Sequence, residues 1–216
     1  MERDNKNDTE EGKKKLIDMG IEEEEIDFYE MSFRSEGEPI VADRVKVAKI
    51  GTIFFIIAEL MYFGGLISTF FVMRSQYEVW PPPGQPSYPV LQTFFNSLFL
   101  FASGILIYIF DKKRNFTFLL LTILSGAVFL LLQGREWVQL VRFGLTMTSS
   151  SYGSIFYLIV GSHAVHAFGG LIWLIIAFLI SRKKSSLSTP SIESASLFWK
   201  FVVLIWPVIY VSLFLS

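Results

Sequence analysis

Apolar residues in this chain gather into long unbroken runs, instead of recurring every three or four positions as they do in half-buried helices. Crossing a bilayer core of about 30 Å takes about 20 apolar residues wound as a helix. Five runs meet that requirement, at residues 47–73, 91–110, 116–133, 152–180 and 197–215. Helices are required over strands because the runs are continuous and lipid leaves the backbone no other partner. The pattern therefore predicts an all-α integral membrane bundle of five transmembrane helices. The third and fifth runs are near the minimum length, and the fourth is long enough to tilt. Short connections make neighbouring helices antiparallel.

Basic residues at the run ends set an orientation. One side receives Arg44, Lys46 and Lys49, then Lys112, Lys113 and Arg114, then Arg182, Lys183 and Lys184. The other side receives only Arg74, Arg135 and Arg142. The excess of positive charge on the cytoplasmic side places the N-terminus in the cytoplasm and Ser216 outside.

Residues 1–45 are a separate, polar extension preceding a membrane domain at 46–216. Residues 1–40 carry 14 acidic and 6 basic side chains, a balance of -8, and the remainder carries 6 and 13, a balance of +7. The extension reads as a solvated tail. Leu16, Ile17, Ile21, Phe28 and Tyr29 offer a weak apolar stripe for a docking segment. No apolar stretch lies near Met1, so no cleavable signal peptide is expected.

Composition narrows the chemistry. Charged residues are 18% of the chain, against roughly 25% in soluble domains, as membrane residence requires. There is no cysteine, which excludes disulfides, thiolate zinc, iron–sulfur clusters and thiolate-bridged copper. The two histidines, His163 and His166, are too few to build a haem–copper centre. No internal repeat, phosphate-binding glycine loop or basic nucleic-acid surface is present.

Ionisable groups inside a span are costly and face protein. Glu59 lies about 14 Å past Ile50 along a helix axis, near mid-membrane, where a carboxyl needs a partner or a proton. Gly64 and Gly65 beside it admit the close approach of another helix or a lipid tail. His163 and His166 are three residues apart and share one helix face. Glu136 falls just beyond the third run, at the outer interface. Three readings stay open: a polar network stapling the bundle, a proton-relay or headgroup role, and a metal site of Glu59, Glu136, His163 and His166. The different depths of Glu59 and Glu136 weigh against the metal. Lys200 enters the fifth run near its end, where it can snorkel to the headgroups.

Several segments together resemble subunit III of haem–copper terminal oxidases, in the five-helix form that lacks the first two helices of the seven-helix version. They are Ala58-Glu59 with Phe63-Gly64-Gly65, Trp80-Pro81-Pro82-Pro83-Gly84, Asn96-Ser97 with Ala102-Ser103-Gly104, and Leu132-Gln133 with Glu136-Trp137. Tyr152-Gly153-Ser154 leading into Gly161-Ser162-His163-Ala164-Val165-His166 and Gly169-Gly170 is the most specific. The final helix departs from the family pattern, with Lys200 where a histidine and Val203 where an aspartate is usual.

The resemblance implies a non-catalytic subunit of a cytochrome c oxidase in a bacterial plasma membrane. Haems and copper would belong to subunits I and II, the partners, with no cofactor in this chain except bound phospholipid. It implies that Glu59, His163, His166 and Glu136 support proton uptake or a buried polar network. Gly64, Gly65, Arg74, Trp80, Asn96, Trp199 and Lys200 are then the expected lipid or subunit contacts. A quinol oxidase, a nitric oxide reductase accessory subunit and a small membrane metalloenzyme are the alternatives, and a larger respiratory supercomplex is a possible setting.

Overall fold

The computed structural model describes residues 40–86, 88–184, 187 and 189–215. The acidic extension and its apolar stripe lie outside the described residues, as does Ser216. By its internal contacts the chain divides after Arg44, and the architecture that follows is that of residues 45–216.

Among the described residues there are five helices: α1 (Ile40–Arg74), α2 (Val90–Lys113), α3 (Phe116–Arg142), α4 (Ser151–Lys184) and α5 (Pro190–Phe214). All five contain a stretch long and apolar enough to cross a membrane, as the apolar runs predict. Helices α2, α3, α4 and α5 pack in a closed ring, each against the next and α5 against α2. Helix α5 is the most enclosed, with 61% of its apolar stretch buried, whereas α1 has 11% and stands at the edge of the ring. Side chains attach α1 to the rest: Phe63 is fully buried beside Phe201, and Phe55 packs on Phe198.

Helices α3 and α5 are among those that outrun their apolar stretches. α3 continues nine residues past Gln133 to Arg142, so Glu136 lies within the helix and not beyond it. α5 begins at Pro190, seven residues before the predicted start. Thr189 caps it by accepting from the Ile192 amide at 3.4 Å, and proline suits the first turn because its missing N–H would have no helical partner. The added turns are polar in sequence but packed in the structure, with Glu193, Ser194 and Ser196 all buried. The helix runs on through Pro207.

The α2–α3 turn needs only two residues. Arg114 ends α2 in the left-handed conformation at φ 48°, and the Asn115 side chain caps α3 by accepting from the Thr117 amide at 2.8 Å. At the other end of the ring, Tyr88 stacks between Tyr152 and Phe156, at centroid distances of 4.6 and 4.4 Å. Trp80 packs on Tyr152 at 4.9 Å and on Phe70 at 5.6 Å, so the proline-rich loop is fastened down by aromatic rings.

Candidate functional site

Glu59 projects from α1 toward α4, where its Oε2 lies 2.8 Å from His166 Nε2. Both side chains are largely enclosed, at 15% and 18% exposure. The other imidazole nitrogen, Nδ1, lies 2.6 Å from the carbonyl oxygen of Ser162. A carbonyl only accepts, so Nδ1 carries a hydrogen. A second proton must then sit between Nε2 and the carboxylate, for otherwise two acceptors would face each other. The pair is therefore either imidazolium with carboxylate or neutral imidazole with carboxylic acid. The two arrangements place that proton on different atoms and have the same net charge.

One turn along, Ser162 donates to the Leu158 carbonyl at 2.6 Å and so accepts from the Tyr62 hydroxyl at 2.8 Å. The ring of Phe63 meets both imidazoles edge-on, His166 at 5.3 Å and His163 at 6.4 Å. The i, i+3 spacing thus brings the histidines to one face, but into unlike surroundings. His163 is 1% exposed and stacks on Trp206 at 4.7 Å, with Phe129 at its edge.

Glu136 faces the interior of the bundle. It is buried between α2 and α3, where it accepts from Thr93 Oγ1 at 2.8 Å, from Asn96 Nδ2 at 2.5 Å and from Gln133 Nε2 at 3.0 Å. The four residues thought able to hold a metal are therefore split into a Glu59–His166 pair, an isolated His163 and a separate knot around Glu136. Among the described residues no group of three or more histidines and carboxylates could hold a metal ion.

The expected surface contacts also divide. Asn96 and Trp199 are inside the bundle, Asn96 on Glu136 and Trp199 donating to Ser103 Oγ at 3.1 Å. They are core residues, since α2 and α5 turn those positions toward the ring axis. A Cβ at Gly64 or Gly65 would meet nothing within 4 Å, so among the described residues no other helix approaches there and that face of α1 is open. Arg74 closes α1 and Trp80 follows in the loop, both partly exposed. Lys200 does not simply reach for the headgroups: it pairs with Asp111 of α2.

Two ionic groups escaped the sequence reading. Asp111, which also accepts from the Ser196 hydroxyl at 2.9 Å, is masked in sequence by the Lys112-Lys113-Arg114 run that follows it. Glu193 binds Lys49 of α1 at 2.9 Å and pairs with Arg114 at the end of α2. Only an unusual carboxylate near an apolar run marks either one, and its partner is up to 144 residues away in the chain.

Comparison with known proteins adds an independent line. A family model described as cytochrome c oxidase subunit III matches residues 28–216. The chain is similar to a probable cytochrome c oxidase subunit 3 of Mycobacterium leprae, 34% identical over 80% of this chain and 89% of that protein. It is also similar to the cytochrome c oxidase subunit 3 of Bacillus subtilis, 31% identical over 77% of this chain and 84% of that one. The cytochrome c oxidase subunit 3 of the cat is 31% identical over 86% of this chain and 74% of the relative.

Proposed function

The chain belongs to the cytochrome c oxidase subunit III family, a multi-pass membrane component of an oxidoreductase complex, and from that premise we propose that it is a non-catalytic subunit supporting proton uptake. Its setting is a bacterial plasma membrane, with cytochrome c as the electron donor to the complex. Its partners are subunit I, which holds the haems and copper of oxygen reduction, and subunit II, through which electrons enter. This chain stabilises subunit I and holds phospholipid along the open face of α1, beside Gly64 and Gly65.

The observation that carries the reading is the contact of Glu59 with His166, 2.8 Å apart within the membrane span. Transfer of a proton from one member of a carboxylate–imidazole pair to the other leaves the net charge unchanged, so the pair can hold a proton in a low-dielectric setting where a bare charge would be costly. Its position between α1 and α4, at the edge of the ring, puts it within reach of water or lipid and not in a sealed core. The metalloenzyme alternative loses its basis because Glu136 is committed to Thr93, Asn96 and Gln133.

The test is Glu59→Ala in the purified complex. Haem spectra stay those of the wild type, while proton uptake slows or activity decays sooner during turnover. Unchanged turnover together with unchanged inactivation kinetics would remove Glu59 from the mechanism.

A further inference from the structure

Away from the Glu59–His166 pair, helices α2 and α5 enclose between them an apolar groove of about 430 Å³ on the bundle surface. Its floor is a close contact of the two helices. A Cβ on Gly104 would come within 2.7 Å of Val203 Cγ1, so only a glycine lets α5 settle this near. Ile105 and Tyr108 form one wall and Leu204 the other, at 62%, 54% and 71% exposure. From Phe101 to Tyr108 the groove runs about 10 Å along the helix axis, at 1.5 Å per residue.

One end of the groove is basic. Lys200 lines it, and the Lys112 ammonium sits 4.5 Å over the ring of Tyr108, which also lines it. Among the described residues Asp111 is the one carboxylate opposite, and it is shared between Lys200 and the Ser196 hydroxyl. Arg114 is committed to Glu193, and Lys113 lies over Phe118 of α3. Of these described groups, two ammoniums against one carboxylate leave an excess of one positive charge. An ammonium has three donors, and Asp111 takes one of those of Lys200.

A long apolar trough ending in unspent cationic donors, at the end of a transmembrane helix, has the form of an anionic amphiphile. We propose that the α2–α5 groove binds one anionic phospholipid, its phosphodiester at Lys112 and Lys200 and one acyl chain over Gly104 and Val203. A zwitterionic lipid would set its own ammonium against the two lysines, and free phosphate would leave the trough empty. The assignment rests on the phospholipid-binding part of the reading above, but it places a lipid on α2 and α5, where α1 takes no part.

The intact complex is transferred into nanodiscs of equal phosphatidylglycerol and phosphatidylcholine, released, and its retained lipids are counted by native mass spectrometry. The wild type retains phosphatidylglycerol in preference. Lys112→Gln, which spares the Lys200–Asp111 pair, lowers that preference about fivefold, the effect of one basic side chain near an anionic surface. Leu204→Trp fills the trough at an exposed position and lowers phosphatidylglycerol retention without changing charge. Wild-type retention in either variant overturns the groove assignment and leaves lipid binding elsewhere on the subunit standing. A wild-type complex that retains no phospholipid overturns both.

Discussion

The indole of Trp199 lies against Gly126, so close that a Cβ on the glycine would stand 2.5 Å from its Cζ2. Neither side has room to yield, because Trp199 is fully buried and its Nε1 is held by Ser103. The same ring faces Gly170 of α4, where a Cβ would lie 3.2 Å from Cε3. One tryptophan therefore sets the separation of three helices. Gly126→Ala adds a methyl where none fits, and overpacking of this kind costs about 1–3 kcal/mol. The gain of about 1 kcal/mol from alanine's helix propensity offsets only part of that. A lower thermal midpoint of the detergent-solubilised complex is expected, and an unchanged or raised midpoint would show that the ring can shift.

The knot around Glu136 is built for an acceptor. Three side-chain donors converge on its two oxygens in a site that is 1% exposed. Glu136→Gln keeps the shape but turns an N–H₂ group toward at least one of those donors. The loss is about 1–3 kcal/mol, the cost of a buried donor left unsatisfied. Denaturation in graded detergent or urea measures it. Stability equal to the wild type would mean that Asn96 or Gln133 reverses its amide to accommodate the change.

Lys49, Glu193 and Arg114 tie one end of α1 to the ring. Glu193→Gln removes the shared anion and leaves two cations side by side. Because Lys49 and Arg114 are 44% and 35% exposed, they turn toward water, and the effect on global stability is small. Local opening is the better readout. Amide hydrogen exchange over residues 45–58 is expected to speed up several-fold while α2–α5 stay protected. Equal rates in both proteins would show that the aromatic contacts of Phe55 and Phe63 suffice to hold this helix.

Tyr88 makes stability depend on alkaline pH. Burial, with a smaller contribution from Tyr152, pushes its phenol far above the ordinary value of 10.0. Below that value the phenol is neutral folded and unfolded alike, and its titration has no effect. Above it the unfolded chain ionises while the buried phenol stays neutral, so stability falls as pH rises. Tyr88→Phe keeps the ring stack with Tyr152 and Phe156 and removes this term. The variant should match the wild type at neutral pH and lose stability less steeply above pH 10. Parallel curves would assign the alkaline loss to other groups.

Transmembrane spans were legible because hydropathy is a local property: about 20 apolar residues in succession announce a helix whatever surrounds them. Span ends were less legible. The polar turns at 190–196 and 134–142 read as loop, since only packed neighbours make Ser194, Glu193 or Glu136 acceptable in a helix interior. Glu59 and His166 were recognisable as misplaced polar groups, but their pairing was not, because they are 107 residues apart and meet only once α1 is laid on α4.

The chain's order of apolar runs thus determined a five-helix membrane bundle, and its two histidines and want of cysteine narrowed the ligands it can offer a metal. Partnership was decided by tertiary structure alone. It separated Glu136 from Glu59 and sent Lys200 to Asp111. It also turned Trp199 and Asn96 inward and, among the described residues, left Gly64 and Gly65 uncovered. The reason is geometric: a run of apolar residues says that a helix is made, but which of its faces meets which neighbour follows only from how the helices are rotated and packed together.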